Sequence, residues 1–192
     1  MSKVTIAGDV NGSGVFTIAA PNGNTNRTLT LPDEAGTLVT TASTGTVTQA
    51  MLASNVAGNG PAFSAFRTGN QTVSASAYTK VLFTDEDFDT DSCFTSSTFT
   101  PTVAGYYQIN AALALNTTSG PALIVLYKNG AGFRMGDGFG NITVYGLVLS
   151  TLVYANGTTD YFEIYGYPGN GTTFNGGSPR GILFSASMVR SA

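Results

Sequence analysis

The chain has 192 residues, of which 42% are hydrophobic and only 10% are charged, and its formal net charge at pH 7 is −3. This length fits one main domain with a small appendage, and the lack of a basic patch argues against nucleic-acid binding. A soluble chain with so few charges and many Gly, Thr, Ser and Asn residues is expected to bury much of its surface in an oligomer.

Residue types that carry most enzyme chemistry are scarce. The sequence has no histidine and a single cysteine, Cys93. Without histidine the usual general base, the Ser-His triads and most zinc sites are excluded. We interpret Cys93 as a small buried apolar residue, since it has no histidine to activate it and no partner for an intrachain disulfide. We therefore expect no catalytic residues and no required cofactor.

The N-terminal sequence MSKVTIAGDVNG lacks the apolar core of a signal peptide, and no apolar run approaches the length of a membrane span. We expect synthesis in a cytoplasm and no membrane insertion.

Residues 1–42 form a first unit of short predicted strands. Asn22-Gly23 is a turn signal, and residues 27–31 then alternate Thr with Leu before Pro32. Strands this short cannot bury enough surface alone, so the unit needs further copies or a docking surface. The stretch FTIAAPNGNTNRTLTLPDEAGTLVTT resembles a segment of tailed-bacteriophage fibre and appendage proteins, in which a T-L-T-L-P-x-x-x-G-T-L element precedes a distal domain. The resemblance implies a virion-attachment segment, with candidate residues Leu29, Leu31, Pro32 and Leu38.

Residues 43–60 are predicted to be a linker with one short helix. Thr48 is a possible N-cap, Met51, Leu52 and Val56 supply apolar side chains, and Asn59-Gly60-Pro61 would end the helix. Two helical turns are marginal alone, so we expect three copies to pack around an axis.

Residues 61–192 read as strands and turns without helical periodicity. Predicted strands are 62–67, 78–84, 97–100, 106–115, 123–127, 143–154, 161–167 and 181–189. Eight or so strands at this spacing predict an all-β sandwich or jelly roll. The segments FTPTVAGYYQI, ALIVLYKNG, GTTDYFEIYGY and GILFSASMV, in this order, resemble the C1q-like (C1q/TNF superfamily) globular domain. The resemblance implies a ten-stranded jelly roll that forms a homotrimer. The collagen-like stalk of the animal proteins is absent.

Three strands suggest how the predicted trimer is built. Tyr107, Ile109, Ala111, Leu113 and Leu115 fall on alternate positions and predict a strand with one buried face. The next strand is apolar on both faces and needs cover from a second sheet or another subunit. Tyr161, Tyr165 and Tyr167 share one strand face, which could be the subunit interface or could stack on sugar rings. Our candidate interface residues are Leu123, Val125, Tyr127, Tyr161, Tyr165, Tyr167 and Met51.

The only concentrated charge lies in residues 85–91. Asp87, Asp89 and Asp91 are spaced like the opening of an EF-hand loop, but Ser92 replaces the required glycine and Thr98 the bidentate glutamate. The C1q-like resemblance leaves an irregular calcium site at these three aspartates open, and the alternative is a solvated acidic loop. The glycines of residues 130–140 fit no phosphate-binding motif, and we interpret them as a flexible loop.

The sequence thus predicts a non-enzymatic, homotrimeric structural protein of a bacteriophage virion. Residues 1–42 would bind a capsid or tail protein, and a C-terminal knob, residues 61–192, would be displayed as a capsid decoration, head fibre or tail fibre. The alternative is a receptor-binding or carbohydrate-binding, lectin-like adhesin that binds a host cell-surface glycan or protein.

Overall fold

The computed structural model divides the chain into two compact units, Met1–Thr40 and Thr41–Ala192. It describes residues 10–15, 17, 22–26, 28, 59–117, 120–140, 144–177 and 180–192. The predicted attachment residues Leu29, Leu31, Pro32 and Leu38, and Met51 of the predicted helix, lie outside the described residues. The predicted domain boundaries at residues 42 and 60 stay predictions.

The described part of the second unit is built from strands. They are β1 (Ala62–Phe66), β2 (Gln71–Thr72), β3 (Thr79–Lys80), β4 (Asp85–Asp89), β5 (Phe94–Thr95), β6 (Thr98–Phe99), β7 (Gly105–Thr117), β8 (Ala122–Lys128), β9 (Ala131–Phe139), β10 (Val144–Ala155), β11 (Phe162–Tyr167), β12 (Thr173–Phe174) and β13 (Ile182–Ser191). In the described residues, no helix has the length and apolarity that a membrane crossing requires.

The strands form two antiparallel sheets. The first has the order β2-β12-β7-β13-β1-β4, with β10 also paired to β7. The second has the order β5-β6-β11-β8-β9, with β3 also paired to β11. Because neighbours in space are distant in sequence, the two sheets close into a jelly roll, which confirms the predicted all-β sandwich.

The core lies between the sheets and is rich in aromatic side chains. The alternate positions of β7 that we predicted to be buried, from Tyr107 to Leu115, are at most 3% exposed. Phe63 of β1 stacks on Phe94 with ring centroids 4.4 Å apart, and Phe184 of β13 meets it edge-on at 4.9 Å. Such pairs add about 1 kcal/mol each beyond simple burial. The period-2 pattern therefore identified the core face correctly.

Two segments that we expected to be loops are strands. Residues 85–89 form β4, an edge strand paired with β1, and charged side chains are common on edge strands. The glycine-rich segment forms β9, paired with β8. Gly136 is required there, because a Cβ at this position would lie 2.6 Å from the carbonyl oxygen of Val148. The expectation of loops at these two places was wrong.

Candidate functional site

The predicted interface residues of the knob lie together on the outer surface of the second sheet. Tyr165 and Tyr167 of β11 stand opposite Val125 and Leu123 of β8, while Phe162, Ile164 and Leu126 point inward and are fully buried. We call the outward side chains of β3, β8, β9 and β11, together with those of the residues just before β3 and β11, the tyrosine face. It comprises Tyr78, Lys80, Leu123, Val125, Tyr127, Met135, Tyr161, Glu163, Tyr165 and Tyr167. The structure thus places the β8 and β11 residues on one face, and their role as a subunit interface stays a prediction.

The tyrosines of this face contact one another. The rings of Tyr127 and Tyr165 are stacked with centroids 3.8 Å apart, and those of Tyr78 and Tyr167 lie 5.1 Å apart. Val125 between them is only 9% exposed. Burial, followed by the nearby charge of Glu163, raises the pKa of Tyr165. The tyrosine face is therefore partly covered by its own side chains.

An ion pair crosses the tyrosine face. Lys80 Nζ lies 2.6 Å from Glu163 Oε1, and the two side chains are 25% and 12% exposed. The same ammonium donates to the Thr98 hydroxyl at 2.8 Å. Glu163 is therefore held by Lys80, whereas Asp160 lies 2.8 Å from Lys128. The two carboxylates therefore have separate ionic partners.

The first sheet presents a second outer surface, which sequence reasoning did not identify. Backbone register aligns outward residues of β13, β7 and β10 in rows. The rows are Leu183–Ala112–Val148, Ser185–Asn110–Ser150 and Ser187–Gln108–Leu152, followed by Tyr106–Tyr154, with Arg190 opposite Tyr106 at the end. We call these rows, without Arg190, the neutral face, because none of their side chains is charged.

The neutral face exposes large apolar side chains. Val148 is 58% exposed, Leu152 54%, Tyr154 44% and Tyr106 41%. Contiguous exposed apolar surface of this kind commonly marks an interaction site. The signal in the sequence was the long apolar run of β10, in which the outward Val148 and Leu152 look like core residues. Only the sheet topology shows which of its two faces is exposed.

The polar side chains at the centre of the neutral face bond to one another. Gln108 Nε2 donates to Ser150 Oγ at 3.0 Å, and Ser150 Oγ donates to Asn110 Oδ1 at 2.8 Å. Gln108 Nε2 also donates to Asn110 Oδ1 at 3.3 Å. Because these groups already have partners, covering them with a flat neutral surface leaves few hydrogen bonds unmade.

The three aspartates of the predicted calcium site already have other roles or lie apart. Asp87 forms an ion pair with Arg180 at 2.6 Å and accepts a hydrogen bond from Ser64 at 3.1 Å. The hydrogen bond from Arg180 holds the pKa of Asp87 below its usual range. Asp89 accepts the backbone N–H groups of Cys93 and Phe94. Asp91 is exposed beyond the end of β4. Calcium binding at this segment stays a prediction.

Potential metal ligands are dispersed in the part of the chain that the structure describes. Among the described residues, no three Cys, Asp or Glu side chains are arranged to hold a metal ion. Cys93 is only 2% exposed, and burial together with a hydrogen bond to Asp89 raises the pKa of its thiol. A buried thiol with a raised pKa is a poor nucleophile, which agrees with the interpretation of Cys93 as a core residue.

Comparison with known proteins identifies the fold. No protein-family model matches the chain, and no curated protein matches its sequence. Murine APRIL at pH 5.0 superposes with a TM-score of 0.53 at 8% identity, covering 67% of this chain and 98% of that chain. The globular domain of zebrafish complement 1qA protein superposes with a TM-score of 0.49 at 19% identity, covering 69% of this chain and 99% of that chain. Eiger TNF from S. frugiperda superposes with a TM-score of 0.49 at 11% identity, covering 69% of this chain and 92% of that chain. The superposition on murine APRIL shows that the described part of the knob has a C1q/TNF-like jelly-roll fold.

Proposed function

We propose that this protein is a non-enzymatic structural protein of a tailed-bacteriophage virion. In this proposal three copies associate through the jelly-roll knob, residues 1–42 bind a capsid or tail protein, and the knob is displayed on the particle. The observation that carries the proposal is the neutral face, a surface of three adjacent strands with exposed apolar side chains, on which Arg190 at one end is the nearest charge of these strands.

The neutral face suits self-association because an uncharged surface is complementary to a second uncharged surface. Depletion of charge and enrichment of aromatic side chains are typical of the centre of protein interfaces. Val148, Leu152, Tyr154 and Tyr106 are each about half exposed. Burying the remaining surface of one such side chain contributes about 1 kcal/mol. The C1q/TNF-like fold supports three-fold association, whereas the predicted interface residues on the tyrosine face stay a competing prediction.

The virion role is supported by the N-terminal sequence. Residues 16–41 resemble the segment that precedes the distal domain in phage fibre and appendage proteins. Head and tail locations are distinguished by counting copies in purified particles. Hundreds of copies per particle would indicate capsid decoration, whereas about six to eighteen copies would indicate the tail, as expected from virion symmetry. Absence of the protein from purified particles would contradict the proposal.

The tyrosine face favours a second candidate function, binding of a host glycan. Tyr78, Tyr127, Tyr165 and Tyr167 present rings and hydroxyl groups on one outer surface, and tyrosines combine an apolar body with a polar tip that suits contacts with sugars. A glycan array screened with the purified full chain tests this function. Binding that Tyr165→Ala abolishes, with the native mass unchanged, would support it. If the chain binds no glycan on the array, the glycan-binding function is contradicted and only the structural role remains.

A further inference from the structure

β10 is an open edge of the first sheet. Among the described strands it pairs only with β7. Because backbone groups of alternate residues point to the same side of a strand, the N–H and C=O groups of Val148, Ser150, Leu152 and Tyr154 point away from β7. Two hydrogen bonds confirm this direction: Val148 N–H donates outward to Asp137, and the Tyr154 carbonyl accepts from Lys128.

β9 is one edge strand of the second sheet, and it approaches β10 without pairing to it. Among the described strands, β9 pairs only with β8. At Gly136 the backbone comes so close to β10 that a Cβ would lie 2.6 Å from the Val148 carbonyl oxygen. The two strands therefore meet at one side of the sandwich without a backbone hydrogen-bond ladder between them.

The side chains that reach the edge of β10 are charged. Asp137 of β9 accepts the Val148 N–H at 3.0 Å through Oδ2. Lys128 of β8 donates from Nζ to the Tyr154 carbonyl at 2.9 Å. An unpaired strand edge is a template for pairing with another chain, and proteins commonly block it with charged side chains, lysine above all. Asp137 and Lys128 have the positions that such blocking requires.

Lys128 is held in its position by neighbouring groups. Its ammonium lies 2.8 Å from Asp160 Oδ2, and its side chain is only 20% exposed. It also lies 5.5 Å from the centre of the Phe162 ring, within range of a cation–π interaction. A lysine restrained in this way stays at the Tyr154 carbonyl and does not extend into solvent.

We propose that Asp137 and Lys128 protect the edge of β10 against strand pairing with other molecules. They occupy hydrogen-bonding positions that a strand of a second molecule would need, so that copies associate through side-chain faces and form a closed oligomer. The proposal goes beyond the proposed function, because it concerns a contact that the molecule prevents. It holds for a virion protein and for a soluble lectin alike.

The test replaces both charges with apolar side chains of strand-compatible shape. The full chain carrying Asp137→Val and Lys128→Met is compared with the wild type by light scattering over a range of concentrations and by thioflavin T fluorescence. We expect species larger than the native oligomer that grow with concentration and bind the dye. The matched control is Asp91→Val, the same change at an exposed turn position, which should behave as wild type. An unchanged native mass, or a fall to the mass of one chain, would overturn the proposal.

A second measurement covers the case in which the double variant fails to fold. Amide hydrogen exchange is followed at Val148 in Asp137→Ala. We expect exchange there about tenfold faster than in the wild type, the factor for one lost hydrogen bond, with no change at Leu149, whose amide points toward β7. Equal exchange at Val148 in both proteins would overturn the role of Asp137. The comparison of exchange rates at Val148 between variant and wild type does not depend on whether the wild type is a trimer.

Discussion

The rings of Tyr127 and Tyr165 lie nearly parallel on neighbouring strands, with centroids 3.8 Å apart and planes inclined by 22°. Each tyrosine therefore covers part of the other within one chain. The sequence pattern predicts that these residues form an interface. Their stacking also contributes to the stability of the single knob. Experiments on this face must separate the two roles.

Replacing Tyr165 with alanine separates stability from association. The change removes the stack on Tyr127, and we expect the free energy of unfolding to fall by about 1–2 kcal/mol. Under our account the native mass stays that of the wild type, because the neutral face holds the copies together. Loss of the oligomer in a variant that remains folded would instead make the tyrosine face the subunit interface.

Placing a charge on the neutral face should dissociate the oligomer. Leu152→Asp introduces a carboxylate into an uncharged surface, and burying an unpaired charge there costs several kcal/mol. We expect light scattering to give the mass of one chain, with the circular dichroism spectrum unchanged because Leu152 is 54% exposed in the single knob. A variant that keeps the wild-type mass would show that copies do not meet at this surface.

Asp160 should contribute to stability in a pH-dependent way. Burial alone would raise its pKa, but hydrogen bonds from Lys128, Asn129 and Asn156 outweigh burial and hold the pKa below its usual range. Between this lowered pKa and the unfolded value of about 3.9, the unfolded chain binds more protons than the folded chain. The stabilisation is therefore present above the unfolded pKa and is lost as the pH falls through the folded pKa.

The variant Asp160→Asn tests this contribution. In denaturant unfolding at pH 7, the free energy of unfolding should be about 1–3 kcal/mol lower than in the wild type, since three hydrogen bonds are weakened and Lys128 loses its ionic partner. The difference in the free energy of unfolding between wild type and variant should become smaller at acidic pH. Asp91→Asn, at an exposed turn position, is the control. A difference in the free energy of unfolding that stays the same from pH 7 to pH 3 would contradict the lowered pKa of Asp160.

Calcium should not stabilise the knob. Asp87 is paired with Arg180, and Asp89 accepts two backbone N–H groups. A cation would have to displace these contacts, so we expect the same midpoint of thermal unfolding with calcium and with a chelator. A calcium-dependent rise in the midpoint that Asp87→Asn removes would instead establish the predicted site, because a ligand that binds the folded state stabilises it.

The strands that could be predicted are those with one buried and one polar face. β7 has Tyr107 and Ile109 inside and Gln108 and Asn110 outside, and its alternation is visible in the sequence. β9 could not be predicted, because Gly136 is required by the close approach to β10 and the glycines of this strand interrupt any pattern. The neutral face could not be predicted either, since Val148 outside and Leu149 inside differ only in the direction that topology gives them.

Light scattering of the wild-type full chain measures the number of copies in the native oligomer. We predict a single species with three times the chain mass of 19.8 kDa, stable to dilution because apolar surface is buried between copies. A species with the mass of one chain at all concentrations would contradict it, and the exposed side chains of the neutral face would then need a partner other than a second copy.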